Sequence, residues 1–307
     1  LENMYAMTVN AMLIDRQASV ASSVSRTSTM AFATDLGHRT VAYLAAHHMS
    51  PAGRQFTASL LGDTDISDAA IWPDWYKNTT EGKTTFSWHF VDAQGDPPAK
   101  CNVDYDRDCA GERGCILSAI GNMDRRTALI FLLHLFGDLH QPLHNVGIAR
   151  GGNDIPVLFD GVHTELHFVW DVLIPVKRAN GTDGVGEGEE KAVARDWASK
   201  LYRRRVDRDL RVGTQDPLGP LSDAVDYESA ECTDIFNPLH CIMAWARESN
   251  SAVCEYVMRE GADKIRDSEL GGRYYEAAVP VVDDLVSKAG SRLALWIDAI
   301  AQELDVS

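Results

Sequence analysis

Apolar positions beyond residue 33 recur at intervals of three and four, a period that predicts helices over most of the chain. The segment LGHRTVAYLAAHHM, which begins at Leu36, is the first of these helices. Ser50 and Pro51 then show the signature of a helix start, a capping hydroxyl followed by proline. The last apolar repeat, from Val279 to Leu304, predicts a helix that packs one face on the core.

The middle of the chain predicts buried helices and little β-structure. Residues 114–141 favour one or two buried helices, and within them we expect a helix from Arg125 to Leu139 that Pro142 ends. Residues 147–161 contain an alternating IPVLFDG and predict a short hairpin, whereas residues 180–190 predict a polar loop before a further helix. We therefore predict an all-α fold with a short β-hairpin.

The composition allows a substantial core, because 45% of the 307 residues are hydrophobic, and it suits one domain or at most two. No window reaches about eighteen uninterrupted apolar residues, so we expect no transmembrane span. The formal net charge is −16, and an acidic surface repels the phosphate backbone of nucleic acids. A nucleic-acid partner would therefore need a local cationic feature such as a metal cluster.

Cysteines and glycosylation sequons favour an oxidising compartment and a secreted protein, although a reduced protein with buried thiols is the alternative. The cysteines are Cys101, Cys109, Cys115, Cys232, Cys241 and Cys254, and the sequons begin at Asn78 and Asn180. Residues 1–32 contain no convincing signal peptide, so we interpret them as an atypical, disordered leader. Residues 33–307 are then the folded domain.

The stretch FLLHLFGDLHQPLH, residues 131–144, carries metal-binding side chains in an otherwise apolar run. His134 and Asp138 are four residues apart, so on a helix both leave the same face. A second pair at this spacing, His167 and Asp171, follows in ELHFVWD. Two His–Asp hydrogen bonds in a core are the alternative. The two pairs together, with the last histidine of the stretch between them, favour a metal site of the zinc type.

Several ordered segments between about Asp35 and Glu303 resemble one known family. They are LGHRTVAYLA, WPDWYK, WHFVDAQGDPPAKCNVDYDRDC, HLFGDLHQPLHNVGIARGGN, TELHFVWD, WARESNSAVC and YYEAAVPVVDDLVSKAGSRLALWI. In this order they are similar to the secreted zinc-dependent single-strand nucleases of fungi and plants, the nuclease S-one and P-one type, which are related to zinc phospholipase C. The resemblance implies a monomeric helical domain with three zinc ions in a cleft.

The resemblance also implies eight zinc ligands, residue by residue. Asp74, His89 and His134 would hold a buried zinc, Asp138 would bridge to a second zinc that also takes His38, and His144, His167 and Asp171 would hold a third. Without the family, the context WPDWYK indicates only that Asp74 caps a turn. His140 remains as a buried hydrogen-bonding residue.

The site with His38 is where this chain departs from the family pattern. There the family adds the α-amino group and carbonyl of an N-terminal Trp in a WGxxGH motif, whereas this chain has Ala33 and Thr34 in place of the Trp and its Gly. An internal amide nitrogen at Ala33 offers zinc no lone pair. Either the given start misses the true signal peptide and Trp, or the chain has two strong zinc sites, a weakened third and slow or absent turnover.

For the reaction, the resemblance implies hydrolysis of single-stranded DNA and RNA to 5′-nucleotides, with 3′-nucleotidase activity as a further expectation. Asp74 would orient the attacking water, and Lys77 would neutralise charge on the phosphate unless it is an ordinary surface lysine. Phe90 would stack on a base unless it belongs to the core, and Asp92 would accept hydrogen bonds from the base edge. Asn153 resembles the family residue beside the scissile phosphate.

The resemblance finally implies a disulfide framework and leaves two other functions open. The pairs would be Cys101–Cys254 and Cys109–Cys115, with Cys232 and Cys241 either joined or free. One other function is a zinc phospholipase C that acts on lipid head groups. The second is a zinc-binding relative with little or no turnover. Zinc stoichiometry measured together with hydrolysis of single-stranded nucleic acid would separate these functions.

Overall fold

A computed structural model of the chain describes residues 35–109, 111, 114–122, 125–180, 187–212, 232 and 234–305. Helices dominate these residues. The α-helices are α1 (Leu36–His48), α2 (Pro51–Leu61), α3 (Ile66–Tyr76), α4 (Tyr105–Asp108), α5 (Ile116–Asn122), α6 (Arg125–His140), α7 (Leu166–Phe168), α8 (Ile174–Asn180), α9 (Glu187–Val212), α10 (Leu239–Ala252), α11 (Ala262–Ile265) and α12 (Arg273–Asp305). The 3₁₀ helices Gly82–His89 and Pro142–Asn145 and the π-helical turns Val169–Leu173 and Val253–Val257 lie between them.

Helix α6 lies at the centre of the fold and packs on α3, α12 and α1. Its residues Leu133, Leu135 and Phe136 are fully buried. Because a helix buried on all sides has no solvent-exposed face, its polar residues need partners within the protein. His134 and Asp138 on α6 are therefore expected to face a polar site.

The predicted helix boundaries agree with the structure where the sequence carries a capping signal. Ser50 precedes α2, and its hydroxyl accepts a hydrogen bond from the backbone N–H of Gly53. The carboxyl-terminal repeat forms α12, a helix of 33 residues. The prediction of a mainly helical fold with a small hairpin is thus confirmed.

The hairpin lies further along the chain than predicted. Its strands are β1 (Pro156–Phe159) and β2 (Val162–Glu165), which pair antiparallel, so the predicted range of residues 147–161 contains only the first strand. Asp160 and Gly161 connect the strands with φ of 51° and 77°. Positive φ at both central residues is typical of a tight Asp-Gly hairpin turn. This dipeptide should have placed the second strand after Gly161.

Two further local predictions were wrong. Asp74 does not cap a turn, because α3 continues through Pro73 and ends only at Tyr76. The polar loop predicted for residues 180–190 is shorter than expected, since α9 already begins at Glu187. Acidic residues in the first turn of a helix interact favourably with its macrodipole, which explains why this Glu-rich segment is helical.

Three disulfides join the described cysteines: Cys101–Cys254, Cys109–Cys115 and Cys232–Cys241. The first two are the pairs that the resemblance implies, and the third resolves the alternative left open for the remaining cysteines. The bond from Cys101 to Cys254 connects residues 153 positions apart. It fastens the segment before α4 to the π-helical turn after α10.

Two sequence predictions concern residues outside those that the structure describes. The leader and Ala33 fall within residues 1–34, and part of the predicted polar loop falls within residues 181–186. Within the described ranges, no helix combines the length and the apolarity that a membrane span requires.

Candidate metal centre

Eight His and Asp side chains, supplied by elements far apart in sequence, form one cluster. His38 lies on α1, Asp74 on α3, His89 at the end of a 3₁₀ helix, His134 and Asp138 on α6, His144 on the next 3₁₀ helix, His167 on α7, and Asp171 in a π-helical turn. They form three groups, and within each group the potential ligand atoms lie within 4.8 Å of one another. The structure thus brings together all eight residues that the resemblance implies as ligands.

The first group is Asp74, His89 and His134, and Asp138 on α6 brings a fourth potential donor atom close to it. His89 Nδ1 and His134 Nε2 are 2.9 Å apart, and Asp138 Oδ2 lies 3.0 and 3.1 Å from them. Asp74 Oδ1 lies 3.5 Å from His89 Nδ1 and 3.4 Å from His134 Nε2. A tetrahedral zinc with ligands at about 2.0–2.1 Å needs its donor atoms about 3.3 Å apart. The five measured separations bracket this value, so the donor set fits zinc.

The second group is His38, His134 and Asp138, so it shares His134 and Asp138 with the first set of donor atoms. While Oδ2 of Asp138 faces the first group, Oδ1 lies 3.3 Å from His38 Nε2. The ring of His38 stacks on that of His134, with centroids 3.8 Å apart. Gly137 leaves room for this arrangement, because a Cβ at that position would lie only 2.6 Å from His38 Nδ1. One carboxylate therefore serves two groups, next to a glycine that the packing of His38 requires.

The third group is more open to solvent. His144 Nε2 lies 3.3 Å from Asp171 Oδ1, and His167 Nε2 lies 3.1 Å from Asp171 Oδ2. All three residues are half-buried, whereas His134 of the first group is fully buried. Two imidazoles and one carboxylate form a typical three-residue zinc set that leaves a coordination position for a small ligand.

Backbone carbonyls orient three of the imidazoles. The contacts are His134 Nδ1 to Ala70 O at 2.8 Å, His144 Nδ1 to His89 O at 2.7 Å, and His167 Nδ1 to Gly151 O at 2.8 Å. A carbonyl only accepts, so each Nδ1 must carry the proton. Each Nε2 is then the atom directed at the carboxylates, which is the arrangement that supports a metal-binding histidine.

Electrostatic interactions in the cluster outweigh the cost of burial for most groups. Burial lowers the pKa of His134, but the interactions with Asp138 and Asp74 together outweigh burial and raise this pKa to about 10. Burial raises the pKa of Asp138, but His134, His144 and neighbouring groups hold it well below its usual range. For His89, burial is the dominant effect and lowers the pKa to about 4. The carboxylates are thus ionised and form a strongly cation-attracting cluster.

A cavity of about 370 Å³ opens onto this cluster and is also lined by Lys77. Lys77 donates a hydrogen bond from Nζ to Asp74 Oδ1. Phe90 is half-buried with its ring centroid 5.8 Å from that of Phe86, and Asp92 is exposed. Asn153 donates from Nδ2 to the carbonyl of a neighbouring turn residue at 2.7 Å. Among the described residues that line the cavity, Lys77 is present, whereas Phe90, Asp92 and Asn153 are not.

Sequence reasoning missed two residues, one that contacts the cluster and one that contacts His140 on α6. Gln141 donates from Nε2 to Asp171 Oδ1 at 2.6 Å, and its sequence signal was its position between the helix and the proline. Arg292 donates to His140 Nε2 at 2.9 Å and to Glu248 Oε2 at 2.7 Å. Burial and the charge of Arg292 lower the pKa of His140 to about 3. His140 therefore acts here as a buried hydrogen-bonding residue.

Known proteins are similar in sequence to this chain over most of its length. The S1/P1 Nuclease family model matches residues 34–302. Nuclease S1 of Aspergillus oryzae is 37% identical over 284 residues, which cover 88% of this chain and 92% of that protein. Nuclease P1 of Penicillium citrinum is 35% identical over 280 residues, covering 86% and 96%, and Endonuclease 3 of Arabidopsis thaliana is 28% identical over 287 residues, covering 87% and 88%. Because the family model covers most of its length, the chain belongs to the S1/P1 nuclease family.

Proposed function

We propose that this chain is a zinc-dependent endonuclease that hydrolyses phosphodiester bonds of single-stranded DNA and RNA to 5′-nucleotides, and that it also acts as a 3′-nucleotidase. The chain is a hydrolase and a nuclease by its family. The observation that supports the finer proposal is the first group, in which five separations among four donor atoms, 2.9–3.5 Å, bracket the value expected for a zinc tetrahedron. We assign residues 33–307 to this nuclease domain.

We propose three zinc ions because the cluster contains three groups of the same ligand types, and each group contributes at least one residue to the lining of one cavity. When bound, zinc ions lower the pKa of water from about 16 towards 7 and stabilise the negative charge that develops on phosphate. Asp74 would hold the first ion and orient the attacking water. Lys77 would supply positive charge to the phosphate, since its Nζ already lies beside Asp74 at the cavity wall.

We assign substrate binding to three residues near the cluster. Phe90 directly follows His89, and we assign its ring to stacking on an unpaired base. Asp92 is exposed two residues further on and would accept hydrogen bonds from the base edge. Asn153 lies two residues after Gly151, whose carbonyl orients His167, and would approach the scissile phosphate from that side. An unpaired base reaches such a pocket more readily than a stacked one.

We propose that the protein is secreted and monomeric. Disulfides persist in oxidising compartments, and the described residues contain three. Asn78 heads a sequon and is exposed, which agrees with a secreted protein.

The alternatives make different predictions for the same purified protein. A zinc phospholipase C would hydrolyse phosphatidylcholine, but the family match is to nucleases. A weakened site at His38, suggested by Ala33, would lower turnover while leaving two ions bound. Ala33 lies outside the described residues.

The test combines metal analysis with hydrolysis. We expect about three zinc ions per chain by elemental analysis, release of 5′-nucleotides from heat-denatured DNA and from RNA, and slower attack on duplex DNA. His134→Ala should lose zinc and activity, whereas the exposed His163→Ala should retain both. Two zinc ions without turnover, or hydrolysis of phosphatidylcholine alone, would refute the proposed nuclease.

A further inference from the structure

Gln141 directly follows α6, and its side chain forms hydrogen bonds from both ends of its amide. Oε1 accepts from the backbone N–H of Leu143, and Nε2 donates to Asp171 Oδ1 at 2.6 Å. Because a backbone N–H can only donate, the amide oxygen must face Leu143 and the amide nitrogen must face Asp171. The direction of this hydrogen bond is therefore fixed by the backbone.

The backbone of Gln141 is held as firmly as its side chain. Its N–H donates to the carbonyl of Asp138 at 3.1 Å, and its carbonyl accepts from Asn145 Nδ2 at 3.0 Å. Asn145 is completely buried. Pro142 comes next and restricts the chain at the start of the 3₁₀ helix that carries His144. The amide donor is thus anchored between two segments that carry members of the cluster.

The carboxylates of Asp138 and Asp171 are oriented in different ways. Asp138 has an imidazole nitrogen near each of its oxygens. Asp171 has His167 Nε2 at 3.1 Å from Oδ2, while Oδ1 takes the hydrogen bond from Gln141 and also lies 3.3 Å from His144 Nε2. Without Gln141, the carboxylate of Asp171 could rotate about its last side-chain torsion, which is soft for aspartate.

We propose that Gln141 is a positioning residue for the metal of the third group, since it holds the carboxylate of Asp171 in the orientation that faces His144 and His167. This inference rests on the proposed metal-dependent function. A neutral amide suits the task, because it orients the carboxylate without cancelling the negative charge that attracts the cation. A lysine here would compete with the metal for that charge.

The experiment measures zinc affinity directly on the full protein, with a series of chelators of known affinity. Gln141→Leu removes both hydrogen bonds, whereas Gln141→Glu keeps an acceptor for Leu143 but replaces the donor with a second carboxylate. In both variants we expect one zinc equivalent to bind about 10–100-fold more weakly, as is typical when a partner of a metal ligand is removed. Excess zinc should restore the full zinc content of Gln141→Leu. Gln55→Leu, at an exposed position of α2, is the matched control and should bind zinc like the parent protein.

The outcomes separate this inference from the proposed function. If the parent protein binds no zinc, the proposed function fails. If the parent binds zinc and both Gln141 variants bind it with unchanged affinity, the inference is overturned, even if their melting temperatures fall, because a purely structural role predicts that pattern. If Gln141→Leu does not fold, Gln141→Glu decides alone, since it retains the hydrogen bond to Leu143.

Discussion

Substitution of Gly137 by alanine would test whether the packing of His38 against α6 is as tight as the structure indicates. The added Cβ would lie 2.6 Å from His38 Nδ1 and 3.1 Å from its Cε1. Moving the ring to the lower limit of ordinary contact, 3.4 Å, requires a shift of about 0.8 Å. His38 also stacks on His134 and faces Asp138, so the shift disturbs both neighbouring groups.

Two effects of opposite sign decide the magnitude. Alanine is favoured over glycine inside a helix by about 1 kcal/mol, which stabilises the variant. Overpacking a closely packed site costs about 1–3 kcal/mol. The strain should therefore win or balance, with a net loss of about 0–2 kcal/mol in the free energy of unfolding, and the displaced imidazole should weaken metal binding at the second group.

The assay is urea unfolding of the metal-stripped protein together with a zinc titration. Gly37→Ala is the matched control, because a Cβ at Gly37 on α1 meets nothing within 4 Å, so this variant should be as stable as the parent or more stable. A Gly137→Ala protein that gains stability like the control and binds zinc as tightly as the parent would refute the reasoning.

Three further predictions follow from the described contacts. Lys77→Ala should lower kcat for single-stranded DNA by about 10²–10³-fold with unchanged zinc content, because it removes a positive charge from the phosphate site. The metal-stripped protein should lose stability as the pH rises from about 7 to 10. Against the effect of burial, the neighbouring carboxylates raise the pKa of His134 to about 10 and that of His144 to about 9, above the value of about 6.5 in the unfolded chain. Each histidine therefore stabilises the folded state while it is protonated, and this stabilisation is lost as the pH rises through its folded pKa. Replacing Cys101 and Cys254 by serine should lower the free energy of unfolding by about 2–5 kcal/mol in a denaturant titration, because this bond closes a loop of 153 residues.

Each of these predictions has a control variant or an outcome that would contradict it. Lys83→Ala changes an exposed lysine on the neighbouring 3₁₀ helix and should leave kcat unchanged, and a Lys77 variant within twofold of the parent would contradict the assigned role. A metal-stripped protein whose stability rises between pH 7 and 10 would contradict the charge assignments. Removal of the Cys109–Cys115 bond, which spans only 6 residues, should destabilise less than removal of Cys101–Cys254, and the reverse order would count against the loop-closure argument.

The local periodicity of apolar residues was enough to predict most of the helices. In the helix that begins at Arg125, residues one turn apart lie on the same face. His134 and Asp138 have this spacing, so the sequence alone could place both side chains on one face. Alternation of apolar residues alone places the hairpin too early in the chain. The Asp-Gly turn at Asp160 and Gly161 is also a local signal, and it indicates that the second strand begins after Gly161.

The assembly of the site could not be predicted from local signals. The carbonyl that orients His134 belongs to Ala70, 64 residues away, and the one that orients His144 belongs to His89, 55 residues away. The sequence around Asp74 did not indicate that this residue lies among the histidines, because its sequence neighbours are typical of a helix end. Tertiary packing sets such contacts, and the family resemblance supplied what spacing alone could not.

The shared carboxylate of Asp138 has a consequence for how the centre fills with metal. In the proposed ligand set, one oxygen of Asp138 faces the first group and the other faces the second. Because the two oxygens belong to one planar carboxylate, an ion bound at the first group would also fix the orientation of the oxygen that faces the second. The side-chain torsion of Asp138 would then already be ordered when the second ion binds. The positive charges of two close ions oppose this benefit. Thermodynamic linkage requires that each ion change the affinity of the other by the same factor. The two neighbouring positions should therefore titrate as one coupled unit, and their binding curve should depart from that of two independent sites.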